Sequence, residues 1–93
     1  MKIPKKIKVG GHVFTVKLVN EVAISGFNTE EQQGCCDYNE CVIYLDKNQV
    51  RSQLEATFIH ELLHAINSEL EHELLTSLAE QLYQVLNDAK MFK

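Results

Sequence analysis

The spacing of apolar residues changes from a period near two to a period near 3.6 about halfway along the chain. Ile7-Lys8-Val9 and His12-Val13-Phe14-Thr15-Val16-Lys17-Leu18-Val19 flank Gly10-Gly11, and apart from Val13-Phe14 the second run alternates apolar with polar. Such alternation marks a half-buried strand, and a Gly-Gly turn between two runs predicts a hairpin. His12, beside the turn, is expected at an exposed strand end rather than on a metal. Asn20 to Gln33 hold no sustained period. Val22, Ala23, Ile24 and Phe27 can pack locally while Gly26 and Asn28 suggest turns, so a connecting loop with room for a short strand or helical turn is expected. From Gly34 the pattern is strand-like again: Cys35-Cys36-Asp37-Tyr38, a break at Asn39-Glu40, then Cys41-Val42-Ile43-Tyr44-Leu45. This predicts a second hairpin that ends at Asp46-Lys47-Asn48.

Helical spacing begins near Ser52, where Ser52-Gln53-Leu54-Glu55 reads as a capping box. At 100° per residue, Phe58, Leu62, Ile66, Ile59 and Leu63 cluster on one arc, with Leu54 and Ala65 beside them. Thr57, His60, His64, Asn67 and Ser68 fall on the opposite arc with Glu61 at its border, so a strongly amphipathic helix is expected over 52–69. The apolar phase changes around Glu69-Leu70-Glu71 without Gly or Pro. Leu74, Leu75, Leu78, Leu82, Val85, Leu86 and Ala89 then define a second amphipathic helix over 71–90. So short a connection makes the two helices antiparallel neighbours or partners at a sharp corner. One continuous helix over 52–90 is the competing reading, and it would be very long for a small domain. Strands first and helices after predict an α+β fold: a small, mostly antiparallel sheet (1–46) followed by two helices, in one domain over 1–93.

Composition narrows the function classes. The chain has 93 residues, near the lower end of what folds without staples, so a bound metal would add useful folding free energy. The net charge is −4 with a single Arg, which disfavours nucleic acid as a partner although four Lys fall in the first eight residues. Those lysines are expected on a solvated terminus or an edge strand. No apolar run approaches a membrane span, and no apolar segment follows the basic start Met1-Lys2-Ile3-Pro4-Lys5-Lys6. Neither a membrane partner nor export is therefore expected. Three cysteines, Cys35, Cys36 and Cys41, are most simply reduced thiols of a cytoplasmic protein.

Chemistry concentrates in His60-Glu61-Leu62-Leu63-His64, which fits the pattern His-Glu-x-x-His. Residues four apart share a helix face, so His60 and His64 can aim two imidazole nitrogens at one Zn²⁺ ion. Glu61, rotated by about 100°, would stand beside the metal and take a proton from the water it acidifies. On the polar arc the motif is expected where a cleft can reach it; a structural His pair would sit among the leucines. The bland alternative is a chance match on a solvated helix face. Cys35, Cys36 and Cys41 lack C-x-x-C spacing and read better as packed or exposed strand thiols than as ligands.

The chain resembles the short metallopeptidase-like proteins of phages and prophages, which are distantly similar to ImmA/IrrE-type and other gluzincin zinc peptidases. The resemblance lies in Gly34-Cys35-Cys36-Asp37-Tyr38, Ile43-Tyr44-Leu45, His60 to Ile66 and Leu78-Ala79-Glu80-Gln81-Leu82-Tyr83-Gln84-Val85-Leu86, and the His-Glu-Leu-Leu-His-Ala-Ile block is its specific part. It implies a minimal zincin-like core whose strand before the active helix holds an extended peptide. By that analogy Cys41, Val42, Ile43, Tyr44 and Leu45 form the substrate-binding edge strand. It also implies a third metal ligand six residues before Leu78. That position is His72, where the family carries Glu; Glu73 is the alternative if the register slips by one. Imidazole is itself a good zinc ligand.

Two function classes follow. One is a zinc-dependent metallopeptidase acting on a peptide or protein, with Glu61 as general base. The other is a zinc-stabilised binding module without catalytic activity. A metal-free helical protein would require the motif to be accidental. Nothing in the sequence assigns a transition-state clamp among Tyr38, Tyr44 and Tyr83, and the outer face of the second helix could support a homodimer.

Overall fold

The computed structural model describes residues 2–20 and 34–89. Two hairpins and two helices follow in order: β1 (Lys6–Val9), β2 (His12–Val19), β3 (Gly34–Asp37), β4 (Val42–Asp46), α1 (Arg51–Ile66) and α2 (His72–Asp88). The reading of residues 21–33 as a connector lies outside the described residues. The predicted α+β class holds: a four-stranded, mostly antiparallel sheet precedes two helices.

Both hairpins form where turn chemistry allows. Gly10 takes the left-handed φ of 64° that closes β1 onto β2, and His12 is exposed at the strand end. Between β3 and β4, Asp37 Oδ1 accepts from the backbone N–H groups of Asn39 and Glu40 at 3.0 and 3.1 Å, an Asx-type turn. Cys41 leaves that turn at φ 54°, outside the strand that the sequence assigned to it.

The strand order is β1-β2-β4-β3, with β2 and β4 parallel and the other two pairs antiparallel. This corrects the expectation of an edge strand over Cys41–Leu45. β4 lies inside the sheet, its main chain engaged by β2 on one side and β3 on the other, and the terminal strands are β1 and β3.

Alternation puts Phe14 and Val16 of β2 and Ile43 and Leu45 of β4 on the inner face, where they meet Leu54, Phe58 and Ile59 of α1 and Ala79 of α2. Ile43, Leu45 and Leu75 are fully buried. Each such side chain contributes about 1.5–3 kcal/mol of burial free energy. The helices are separate, joined through residues 67–71, where Asn67 Oδ1 accepts from Glu69 N and Glu71 caps α2 by accepting from Glu73 N. Tyr83 of α2 reaches Glu55 near the start of α1 while His72 lies beside His64 near its end, so the two run antiparallel.

One expectation about the helices is corrected. The Ser52–Glu55 capping box does not form: α1 starts at Arg51 behind Val50, which makes no side-chain cap, and Glu55 instead accepts from Tyr83 and Arg51. The polar arc of α1 is graded: β3 covers Thr57 and Glu61, His60 and His64 are half-buried, and Asn67 and Ser68 are exposed. Conversely α2 buries only Leu75 and Ala79 and leaves Leu74, Leu78, Leu82 and Val85 exposed, since α1 is its main support.

Candidate metal centre

The central residues of α1 present two imidazoles one turn apart. The Nε2 atoms of His60 and His64 are 3.2 Å apart. For tetrahedral zinc with Zn–N near 2.0–2.1 Å, two ligand nitrogens stand roughly 3.3–3.4 Å apart, so the pair already spans one edge of that polyhedron. The first residue of α2 completes the group. The His72 ring centre lies 5.3 Å from that of His60 and 5.8 Å from that of His64, and one nitrogen from each of the three falls within 4.8 Å of the others. These three residues could hold a metal ion.

Their protonation fits that use. Burial, reinforced by the neighbouring His64 and His72, lowers the pKa of His60 to about 4. Burial and His72 also lower that of His64. Both rings are therefore neutral at neutral pH, as ligands must be. Without metal the close Nε2 pair is a hydrogen bond, one ring donating to the other. Metal binding needs both lone pairs and would replace that bond with two protons on the Nδ1 atoms.

Glu61, about 100° further round α1 than His60, lies against β3. An ideal Cβ at Gly34 would lie 3.1 Å from Glu61 Oε2, so only glycine leaves space for this carboxylate. The residue is 6% exposed, and burial pushes its pKa up to about 7. Its charge is felt at Cys35, Cys36 and Tyr38, which places the carboxylate between the motif and the β3 hairpin. A carboxyl in that range is suited to proton transfer near neutral pH.

Two supporting residues, the ends of the Gly34–Tyr38 segment that enters the resemblance, had no role assigned from the sequence. Tyr38, in the β3–β4 turn, donates its hydroxyl to the His64 carbonyl at 3.0 Å and ties the hairpin to the last turn of α1. Gly34 gives the other contact, and a lone glycine in a strand is the usual trace of such a close approach. The remaining sequence candidates stay apart from the centre. Glu73 is exposed in the first turn of α2 and is not part of the convergent group. The cysteines are free thiols, with Cys35 and Cys36 raised to about 11 and 12, chiefly by burial, so neither is a thiolate at neutral pH. Among Cys41–Leu45, Ile43 and Leu45 belong to the core rather than to a cleft.

No helix among the described residues is long and apolar enough to cross a membrane. Compared with known proteins, the chain matches no family model, no curated protein and no solved structure, so its geometry and its motif carry the functional argument.

Proposed function

We propose that the chain is a zinc-dependent peptidase-like hydrolase, akin to the phage metallopeptidase-like proteins that its motif resembles. The observation behind this reading is the convergence of His60, His64 and His72, with Glu61 next to the first of them in the chain. Among the described residues three protein ligands converge, the number that catalytic rather than structural zinc takes from the protein. Zinc held there supplies Lewis acidity and a lowered water pKa. His60, His64 and His72 would hold it, and Glu61 would serve as general base, accepting a proton from water and returning it to the leaving amine. β3, terminal in the sheet and touching Glu61 through Gly34, would hold the extended peptide in place of the interior β4.

A zinc-stabilised binding module is the competing reading, and the deep burial of Glu61 favours it, because a general base must reach its substrate. One experiment separates the two. Protein purified without added metal is assayed for zinc and incubated with a peptide library read by mass spectrometry. The expected result is one zinc per chain and cleavage that falls at least about 100-fold in Glu61→Gln at unchanged zinc content. Wild-type cleavage by Glu61→Gln overturns the base role, and undiminished zinc in His60→Ala overturns the site. Zinc without cleavage in the wild type leaves the binding module standing.

A further inference from the structure

We infer that the outer edge of β1, which pairs with no other strand among the described residues, is a docking site for an extended peptide segment in which acidic and apolar residues alternate. The inference is independent of any metal, since β1 forms the sheet edge opposite β3. Val16 N donates to Lys5 O at 2.8 Å, and the register pairs Ile7 with Phe14 and Lys6 with Thr15. Hydrogen-bonded and non-bonded pairs alternate along an antiparallel ladder. Lys5 and Ile7 therefore direct their main-chain groups to β2, and Lys6 and Lys8 turn theirs to the open edge.

The side chains give that edge two different faces. Ile7 and Val9 point to the helix side, where with Phe14, Leu62, Ala65 and Ile66 they border a groove of about 670 Å³. Among the described residues α1 packs chiefly over β3 and β4, Ile7 and Val9 are half-buried at the edge of the core, and Ile66 stays 59% exposed at the groove. Lys6 and Lys8 occupy the other face. Both are exposed, and among the described residues neither has an ion-pair partner.

A strand added to β1 would continue both patterns. Its residues opposite Lys6 and Lys8 would lie on the lysine face and favour carboxylates, and those between would enter the groove and favour aliphatic side chains. Lysines on an edge also deter pairing between uncharged strands. That role alone calls for no apolar groove beside the edge, and it leaves the acidic strand as the class the edge accepts.

The test uses a blocked octapeptide that alternates Glu and Val, followed by fluorescence anisotropy and by amide exchange of the full chain. Binding is expected to saturate and to slow exchange of the Lys6 and Lys8 amides at least about tenfold, with the Ile7 amide, already bonded, unchanged. The double variant Lys6→Glu/Lys8→Glu alters exposed side chains only and should weaken binding at least about tenfold. Ile66→Asp should weaken it through the groove while leaving the edge amides free. Equal affinity for a composition-matched block peptide, or for alternating Lys and Val, overturns the proposal. So does binding that leaves the Lys6 and Lys8 amides unprotected, or no saturable binding. Tighter binding of a single-stranded oligonucleotide without that protection would identify a general polyanion surface and overturn it as well.

Discussion

Gly34 lies where α1 comes closest to β3, and a single methyl group there has nowhere to go. Its Cβ would stand 2.6 Å from Thr57 Cγ2 and 2.9 Å from Glu61 Cγ. Thr57 cannot easily yield, because its hydroxyl bonds Gln49 Oε1 and the Gln53 carbonyl at 2.8 Å each. Gly34→Ala is therefore expected to lower the unfolding free energy by about 1–3 kcal/mol. Gly11→Ala, whose Cβ meets nothing within 4 Å, should change it by less than about 0.5 kcal/mol. Urea midpoints of the two variants make the comparison, and equal midpoints would show that α1 is not held this close to β3. His60, Glu61 and His64 could be read from the sequence because their relation is local to one helix. The demand on Gly34 comes from two segments brought together by the fold, and no spacing along the chain announces it. Tyr38 is similar: its bond to the His64 carbonyl joins a turn to a helix end, and nothing in its neighbours distinguishes it from Tyr44.

Among elements, α1 begins behind a residue whose side chain makes no cap. Its N-cap is Val50, 72% exposed, at φ −63° and ψ 155°, backbone angles that a capping Ser or Asp adopts freely. Val50→Ser should therefore raise stability by about 0.5–1.5 kcal/mol, read as a higher Tm; an unchanged Tm would mean that the first N–H groups are already satisfied. The sequence suggested a cap at Ser52 because a Glu follows three residues later, yet that Glu55 serves the contact between helices. Tyr83 donates to Glu55 at 2.7 Å and Arg51 at 3.0 Å. Burial alone would raise the pKa of Glu55, but these hydrogen bonds, led by that of Tyr83, hold it below its ordinary value. A carboxyl lowered in the folded state stabilises the fold above its unfolded pKa and loses that contribution as pH falls through the folded one. Glu55→Gln should thus be less stable than wild type near neutral pH, and the gap should narrow as pH drops below about 4.3. Urea titrations at several pH values check this, and a gap that widens with acid would reverse the sign.

For the whole molecule, the order of strands and helices was legible, but the layering was not. The period-two and period-3.6 runs mark each element locally. The parallel pairing of β2 with β4 joins segments distant in sequence, which no local period marks, and it places β4 in the interior. The same layering buried Thr57 and Glu61 on the polar arc of α1. His72 was legible only through the family resemblance, since spacing alone distinguishes it poorly from Glu73; the fold brings His72 to the other two imidazoles by running α2 back along α1. This arrangement has a thermodynamic consequence. The three imidazoles belong to two helices, so an ion bound among them would tie α2 to α1 and stabilise only the folded chain. Zinc at a free concentration about 100 times its Kd should then add about 2.7 kcal/mol. In a domain of this size that corresponds to a Tm rise on the order of 10–20 °C. Chelator should reverse the rise. His60→Ala and His72→Ala should each remove most of it, while the metal-free Tm of His72→Ala, which alters an exposed side chain, should stay within a few degrees of wild type. If His72→Ala keeps the full zinc-dependent rise and Glu73→Ala loses it, the third ligand is the carboxylate one residue along. A rise retained by all three variants would place the ion elsewhere on the chain.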